Sequence, residues 1–268
     1  MIIDTAIIGG GISGLYINHE LSKKGDKTLL LEGSPVFGGR IYQYDDKDVS
    51  FPAGAARFNR NHKRVIKLLK QFNLLDFRKD NGMPSSIDFI DSKNQFSPKY
   101  NTKNGFYYIK KVLRNVEKMG HVDMLRKFTF KEYAEKYLEL DDVKFLLIAS
   151  GYSGQLKHMN MFDAYHLFKY GIRDDVTFYS GYYQHLILSI VQQLKDNGSK
   201  LLLNSHVTDV TFDDVKDCYI VHYNNMTRRT KRVIFALPQP ALLNIKLLNP
   251  IHSLLRNTIK CKSLCRVY

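Results

Sequence analysis

The 268-residue sequence has no tryptophan, only seven prolines and only three cysteines. Cys218, Cys261 and Cys265 are too few for a disulfide framework, and no Cys or His pair has the matching spacing for a zinc site. They read as reduced thiols, so the expected setting is a reducing, cytoplasmic one. No run of 18 or more apolar residues occurs, so no membrane-spanning helix is expected. Acidic residues are missing after Asp217, whereas nine basic ones (Arg228, Arg229, Lys231, Arg232, Lys246, Arg256, Lys260, Lys262 and Arg266) fill the last part of the chain. A basic end can serve nucleic acid or an anionic membrane. Here the charges alternate with Val233, Phe235, Leu242 and Leu247, as in folded structure, and no nucleic-acid motif accompanies them. Neither partner is expected. What the chain does have is apolar material: at 44% hydrophobic and 12% aromatic residues it can build a core, which excludes a disordered chain. Its length suits one large or two small domains.

The first eight residues are rich in isoleucine and predict a buried parallel strand. They lack a basic n-region and carry Asp4, so they do not read as a signal peptide. Gly9-Gly10-Gly11-Ile12-Ser13-Gly14 follows and matches G-x-G-x-x-G. A helix is predicted from there to Lys24, with Gly25 as its stop, and a second strand, Thr28 to Leu31, ends at Glu32. A bare glycine pattern says little, but strand, turn, helix and acid in this order specify a dinucleotide site. Gly9 permits the tight turn, Gly11 admits the pyrophosphate to the backbone, and Gly14 allows helix and strand to pack closely. The helix start at Ile12 and Ser13 presents N–H groups and a positive dipole end to the phosphates. Glu32, 18 positions after Gly14, can accept hydrogen bonds from ribose, which disfavours a 2′-phosphate and hence NADP.

Two further segments, Gly38-Gly39-Arg40-Ile41 and Phe51-Pro52-Ala53-Gly54-Ala55-Ala56-Arg57-Phe58, complete a pattern that resembles the flavin-containing amine oxidase superfamily. The resemblance implies FAD as cofactor. It also implies an α/β fold: a Rossmann-like FAD-binding domain of the GR2 type, parallel sheet plus antiparallel meander, with an inserted α+β substrate-binding domain. Gly39 and Arg40 would face the pyrophosphate, Arg40 as its cation, and the small residues Gly54, Ala55 and Ala56, with Arg57, would lie against the flavin. A helix over Tyr182 to Lys195 and a strand over Lys200 to Asn204 lead to Val207, whose backbone the resemblance pairs with adenine. A small meander over Val210 to Tyr223 turns at Asn224-Asn225, and a strand Val233 to Leu237 returns toward the flavin.

The implied division is residues 1–79 and 181–238 for the FAD domain, 80–180 for the substrate domain, and 239–268 for the start of a return to it. Helices are predicted over Phe106–Met119, Thr129–Leu138 and Val143–Ala149. Tyr165, Phe168 and Tyr170 suit a core better than a pocket lining, and His158, His166 and His185 have no partner at a recognisable spacing. No Ser/His/Asp triad, P-loop or metal motif is present, and no catalytic residue is assigned. The family's closing flavin motif has no counterpart before Tyr268, so the fold is expected to be incomplete at its C-terminus. The implied activity is oxidation of a small-molecule amine by hydride transfer to flavin. A related desaturase or oxidase of a non-amine substrate, and an inactive FAD-binding module, are the alternatives. An unfinished edge at Val233–Leu237 and Ser263–Tyr268, and uncovered Leu242, Leu243, Ile245, Leu247 and Leu248, predict self-association or a completing polypeptide.

Overall fold

Short apolar runs open the chain: β1 (Ile3–Ile8) and β2 (Thr28–Leu31) lie parallel, Ile7 opposite Leu30, joined by α1 (Ile12–Ser22). The helix ends two residues before the predicted Lys24. Gly25 at φ +85° donates to the Ser22 carbonyl and Asp26 to the Leu21 carbonyl, tightening the last turn before Gly25 can close it. A hairpin of β3 (Gln43–Asp45) and β4 (Ser50–Pro52), a strand β5 (Arg57–Asn59) and helix α2 (Lys63–Gln71) follow. The structure, a computed structural model, describes residues 2–78, 105–119, 122–171 and 177–246. These fall into two units, one of residues 2–78 with 179–246, the other drawn from residues between 79 and 178.

The second unit packs α3 (Gly105–Met119), a 3-10 turn (Val122–Lys127), α4 (Phe130–Ala134), α5 (Leu140–Ala149), α6 (Ser153–Leu156) and α7 (Met161–Gly171) around one core. Ile109, Val112, Phe130, Leu146, Leu156 and Met161 are fully buried there, at about 1.5–3 kcal/mol per large side chain. Tyr165 and Phe168 are buried in this core, which is where the sequence placed them. Thr129 caps α4 reciprocally: its Oγ1 accepts from the Glu132 N–H at 3.2 Å while Glu132 Oε2 accepts from the Thr129 N–H at 2.8 Å. The α-helix stops at Ala134, short of the predicted Leu138, because Lys136 and Tyr137 donate to carbonyls three residues back. The regular structure of residues 105–119 and 122–171 of this unit is helical apart from an isolated bridge between Thr129 and Asn160, and a strand follows at Phe178–Ser180.

The chain then rejoins the first unit. Strand β6 (Phe178–Ser180) pairs with β5, and α8 (Tyr183–Asp196) buries Leu186, Ile187, Ile190, Val191 and Leu194, the stripe read from the sequence. Strands β7 (Lys200–Leu202), β8 (Val207–Asp213), β9 (Cys218–Tyr223) and β10 (Met226–Phe235) complete a six-stranded sheet of order β7-β2-β1-β10-β9-β8. Both sheet faces are covered, as parallel strands require. Ile7 and Leu30 meet Leu15 of α1 and the stripe of α8 on one face, while Ala6, Ile8, Leu29 and Leu31 meet Val207, Val221 and Tyr223 on the other.

Two expectations change here. The meander starts at Val207, not Val210, and the returning strand starts at Met226, not Val233. Asn224 and Asn225, at φ +45° and +59°, form a hairpin turn tight enough to launch β10 at once. The first half of β10 pairs antiparallel with β9, and from Thr230 to Phe235 it runs parallel beside β1, so residues 233–235 do not lack a neighbour. Three of the four basic residues of this strand are balanced by acids from elsewhere in the unit. Arg229 pairs with Asp213 at 3.5 Å, Lys231 with Asp4 at 2.8 Å, and Arg232 with Asp26. After a short helix α9 (Gln239–Leu243), Ile245 is buried against β8, where Lys246 donates to the Thr208 carbonyl and Val210 to the Lys246 carbonyl. Ile245 is therefore covered, and Leu242 and Leu243 are half-buried; Leu247, Leu248 and Ser263–Tyr268 lie outside the described residues.

Candidate functional site

The turn between β1 and α1 is built so that only glycine fits at two of its positions. Gly9 sits at φ +109°, a region open to glycine. A Cβ on Gly14 would stand 1.9 Å from the Gly9 carbonyl oxygen, so the helix is pressed onto the turn. Gly11 differs: its backbone, φ −70° and ψ 176°, is ordinary, and a Cβ there would meet nothing closer than Gly38 O and Gly39 Cα at 4.0 Å. Open space lies beside Gly11. Gly11 is also the N-cap of α1 and offers no side-chain acceptor, so the first-turn amides, from Ile12 and Ser13 onward, have no capping partner. No acid occupies that turn. An anion fits such an end.

Glu32 stands at the carboxyl end of β2. Its Oε2 accepts from the Gly10 N–H at 2.6 Å and its Oε1 from the Ser34 N–H at 2.8 Å. Each carboxylate oxygen keeps a second lone pair for a ligand hydroxyl. The loop after Glu32 returns to the glycine turn: Gly38 donates to the Gly10 carbonyl at 2.9 Å, and a Cβ on Gly39 would lie 3.2 Å from Gly11 Cα. Arg40 is exposed, and its guanidinium has no ion-pair partner among the described residues.

The next segment is zipped to this loop. Ala55 donates to the Arg40 carbonyl at 3.1 Å, and Gly54 is so close to the same carbonyl that a Cβ would stand 2.1 Å from it. Ala56 and Arg57 continue to α8, where Gly181 donates to the Ala56 carbonyl at 2.8 Å and the Tyr183 hydroxyl to the Arg57 carbonyl at 3.1 Å. Burial pushes the Tyr183 hydroxyl up to about 12. On the other side of Glu32, Ser205 donates to the Glu32 carbonyl at 2.7 Å and Asn204 to the Ser34 carbonyl at 3.0 Å, which brings Val207, buried at the start of β8, beside the same strand end. Thus Gly9, Gly11, Ile12, Ser13, Gly14, Glu32, Gly39, Arg40, Gly54, Ala55, Ala56, Arg57 and Val207 all belong to one unit. Backbone contacts link the turn to residues 39–40 and 54–57, and Glu32 to Ser205, two residues before Val207.

Sequence reasoning missed several members. Gly38, at φ +121°, and Gly10 join the loop to the turn; the Gly-Gly pair was visible, but not that its first residue carries the turn's hydrogen bond. Gly181 and Tyr183 left no signal beyond a helix start. His158, His166 and His185 are exposed, His166 lying edge-on against Phe162, whereas among the described residues the fully buried histidine is His19, which the sequence did not single out. Among the described residues no group of three His, Cys, Asp or Glu side chains is placed to hold a metal, and no helix is long and apolar enough to cross a membrane.

A mixed sheet with the glycine turn and acid at the carboxyl ends of its first two parallel strands defines a Rossmann-like α/β protein. Residues 12–264 match the flavin-containing amine oxidoreductases, and the chain belongs to that family, whose cofactor is FAD. Among similar proteins, the probable flavin-containing monoamine oxidase A of Dictyostelium discoideum is 19% identical over 262 residues, covering 88% of this chain and 57% of that protein. The (S)-6-hydroxynicotine oxidase of Paenarthrobacter nicotinovorans is 39% identical over 75 residues, 26% of this chain and 18% of that one. Among solved structures, putrescine oxidase bound to putrescine superposes with a TM-score of 0.68 at 16% identity, over 92% of this chain and 60% of that chain. Cyclohexylamine oxidase from Brevibacterium oxydans IH-35A gives a TM-score of 0.66 at 16% identity, over 96% and 63%. The chain thus spans about three fifths of the length of the monoamine, putrescine and cyclohexylamine oxidases.

Proposed function

We propose that the unit of residues 2–78 and 179–246 is an FAD-binding domain, that the residues between are a substrate-binding domain, and that the protein oxidises the C–N bond of a small amine. The observation that carries this is the open space beside Gly11, bordered by the uncapped start of α1 and by Gly39; Arg40, next in sequence to Gly39, has no ion-pair partner among the described residues. The residues fit a dinucleotide. Gly11 and Gly39 would let the pyrophosphate reach the backbone, the first amides of α1 would hold it, Arg40 would offset its charge, and Glu32 would accept from ribose. The segment Gly54–Arg57 would back the flavin with main chain rather than bulky side chains. Bound FAD would supply the hydride acceptor, which a polypeptide lacks. This chain's own residues bind, orient and exclude water.

A thermal-shift titration with FAD, FMN, NAD and NADP tests the binding reading, since a ligand bound by the native state alone raises stability by RT ln(1 + [L]/Kd). FAD should give the largest shift; a larger response to NAD would sink it. The amine substrate rests on family membership, and a peroxide-coupled screen of FAD-loaded protein with monoamines, putrescine and cyclohexylamine tests it. A completing polypeptide or second copy belongs to the same proposal. Its support is that residues 232–235 of β10 have no strand on their β9 side among the described residues, and sedimentation at low and high salt would detect an association. A cytoplasmic setting is supported by the free, buried thiol of Cys218.

A further inference from the structure

The start of α8 is unusually committed to a distant piece of chain. Tyr183 is 7% exposed, and its hydroxyl donates to the Arg57 carbonyl at 3.1 Å. Burial raises that hydroxyl to about 12, so it remains a proton donor throughout the neutral range. Residue 181 has no room for a side chain: a Cβ would stand 2.7 Å from Cζ of the Tyr183 ring. With the ring seated on Gly181, the Gly181 N–H donates to the Ala56 carbonyl at 2.8 Å. Two successive carbonyls, of residues 56 and 57, are thereby held by residues 181 and 183. The other side of the same segment is held by Arg40, whose carbonyl accepts from Ala55 and abuts Gly54. Residues 54–57 are clamped from both sides.

We infer that Tyr183 is a positioning residue: through the Arg57 carbonyl it sets where the main chain of residues 55–57 stands relative to the flavin ring. This rests on the FAD reading above. The glycine turn and Glu32 would hold the ADP half of FAD, whereas Tyr183 acts on the segment assigned to the flavin half. Its influence should therefore divide the ligand in two.

The test compares FAD and ADP on the wild-type chain and on Tyr183→Phe, which keeps the ring and removes the donor. FAD affinity, by titration calorimetry, should fall about tenfold, ADP affinity should stay within about twofold, and the visible absorption bands of bound FAD should shift. Gly181→Ala, which displaces the ring, should reproduce the same split. Unchanged FAD affinity and spectrum in Tyr183→Phe would overturn the inference while leaving FAD binding intact. An equal loss of FAD and ADP would also overturn it, because it would mean general loosening. A wild-type chain that binds neither ligand, or ADP alone, would overturn the FAD reading and the inference with it.

Discussion

Two glycines of one turn, three residues apart, should fail in opposite ways when given a methyl group. At Gly11 the added Cβ enters space whose nearest occupants are 4.0 Å away, and the backbone there is one that alanine adopts. Alanine loses less unfolded-chain entropy, a gain of about 0.4–1 kcal/mol, but is a poorer N-cap than glycine by a similar amount. Gly11→Ala should leave the free protein within about 1 kcal/mol of wild type, or within roughly 2–4 °C for a chain of this size. At Gly14 the Cβ would lie 1.9 Å from the Gly9 carbonyl oxygen, so helix and turn must separate by more than an ångström. Overpacking of that kind costs about 3 kcal/mol or more, roughly 6–12 °C. The ligand response reverses the order of harm at Gly11. With FAD at a hundred times its dissociation constant, wild type should gain about 2.7 kcal/mol, and Gly11→Ala should gain far less, because its methyl stands where the pyrophosphate would lie. Differential scanning fluorimetry with and without FAD reads both quantities at once. A Gly11→Ala protein that keeps the full FAD shift would remove the pyrophosphate from this space, and a Gly14→Ala protein that melts like wild type would refute the packing argument.

The fully buried His19 has its Nε2 2.8 Å from Gln71 Nε2, so the amide donates, the imidazole is neutral, and its Nδ1 has no partner. Burial lowers its pKa below the ordinary value, so the unfolded chain takes up a proton first as pH falls through about 6.5, and stability should then drop by up to about 1.4 kcal/mol per pH unit. Denaturant midpoints between pH 7.5 and 5.5 should show this slope flattened in His19→Gln; identical slopes would assign the effect to other groups. In the helical unit, Thr129→Ala removes the Oγ1 acceptor of the α4 cap, leaving the Thr129 N–H to Glu132, and should cost about 1 kcal/mol, seen as a lower melting midpoint with FAD affinity unchanged. A variant as stable as wild type would show the cap to be dispensable.

The fold was legible wherever one residue pattern had one structural use. Ala6–Ile8 and Leu29–Leu31 are apolar on both faces, so they could only be interior parallel strands, and they are. The α8 stripe and the Asn-Asn turn were equally plain. What escaped was set by partners far away in sequence. Nothing near Met226 marks it as the start of a strand, because its antiparallel pairing with β9 decides that. The ion pairs of Lys231 with Asp4 and Arg232 with Asp26 span more than two hundred residues, so a count of local charge overstated the basic end. At the candidate site, glycine and acid were readable because the positive φ of Gly9, the close approach at Gly14 and the Glu32 bond to the Gly10 N–H demand those residue types. Tyr183 was not, since a tyrosine on a buried helix face looks the same whether its hydroxyl holds a distant carbonyl or nothing.

The position of β10 has a consequence for how the molecule comes to be made. Strand β1 leaves the ribosome long before β10, so one of its two neighbours is not synthesised until residues 230–235. At roughly 5–20 residues per second, β1 and β2 would wait on the order of ten seconds with both outer edges unfilled, β2's until β7 and β1's until β10. Meanwhile the core of the helical unit, whose described buried residues all fall between Tyr108 and Phe168, can form first. Its contacts are local, and contacts of that kind form fastest. The order of assembly would then run from the helical unit outward, and the glycine turn, though encoded ahead of that unit, would acquire its final surroundings after it.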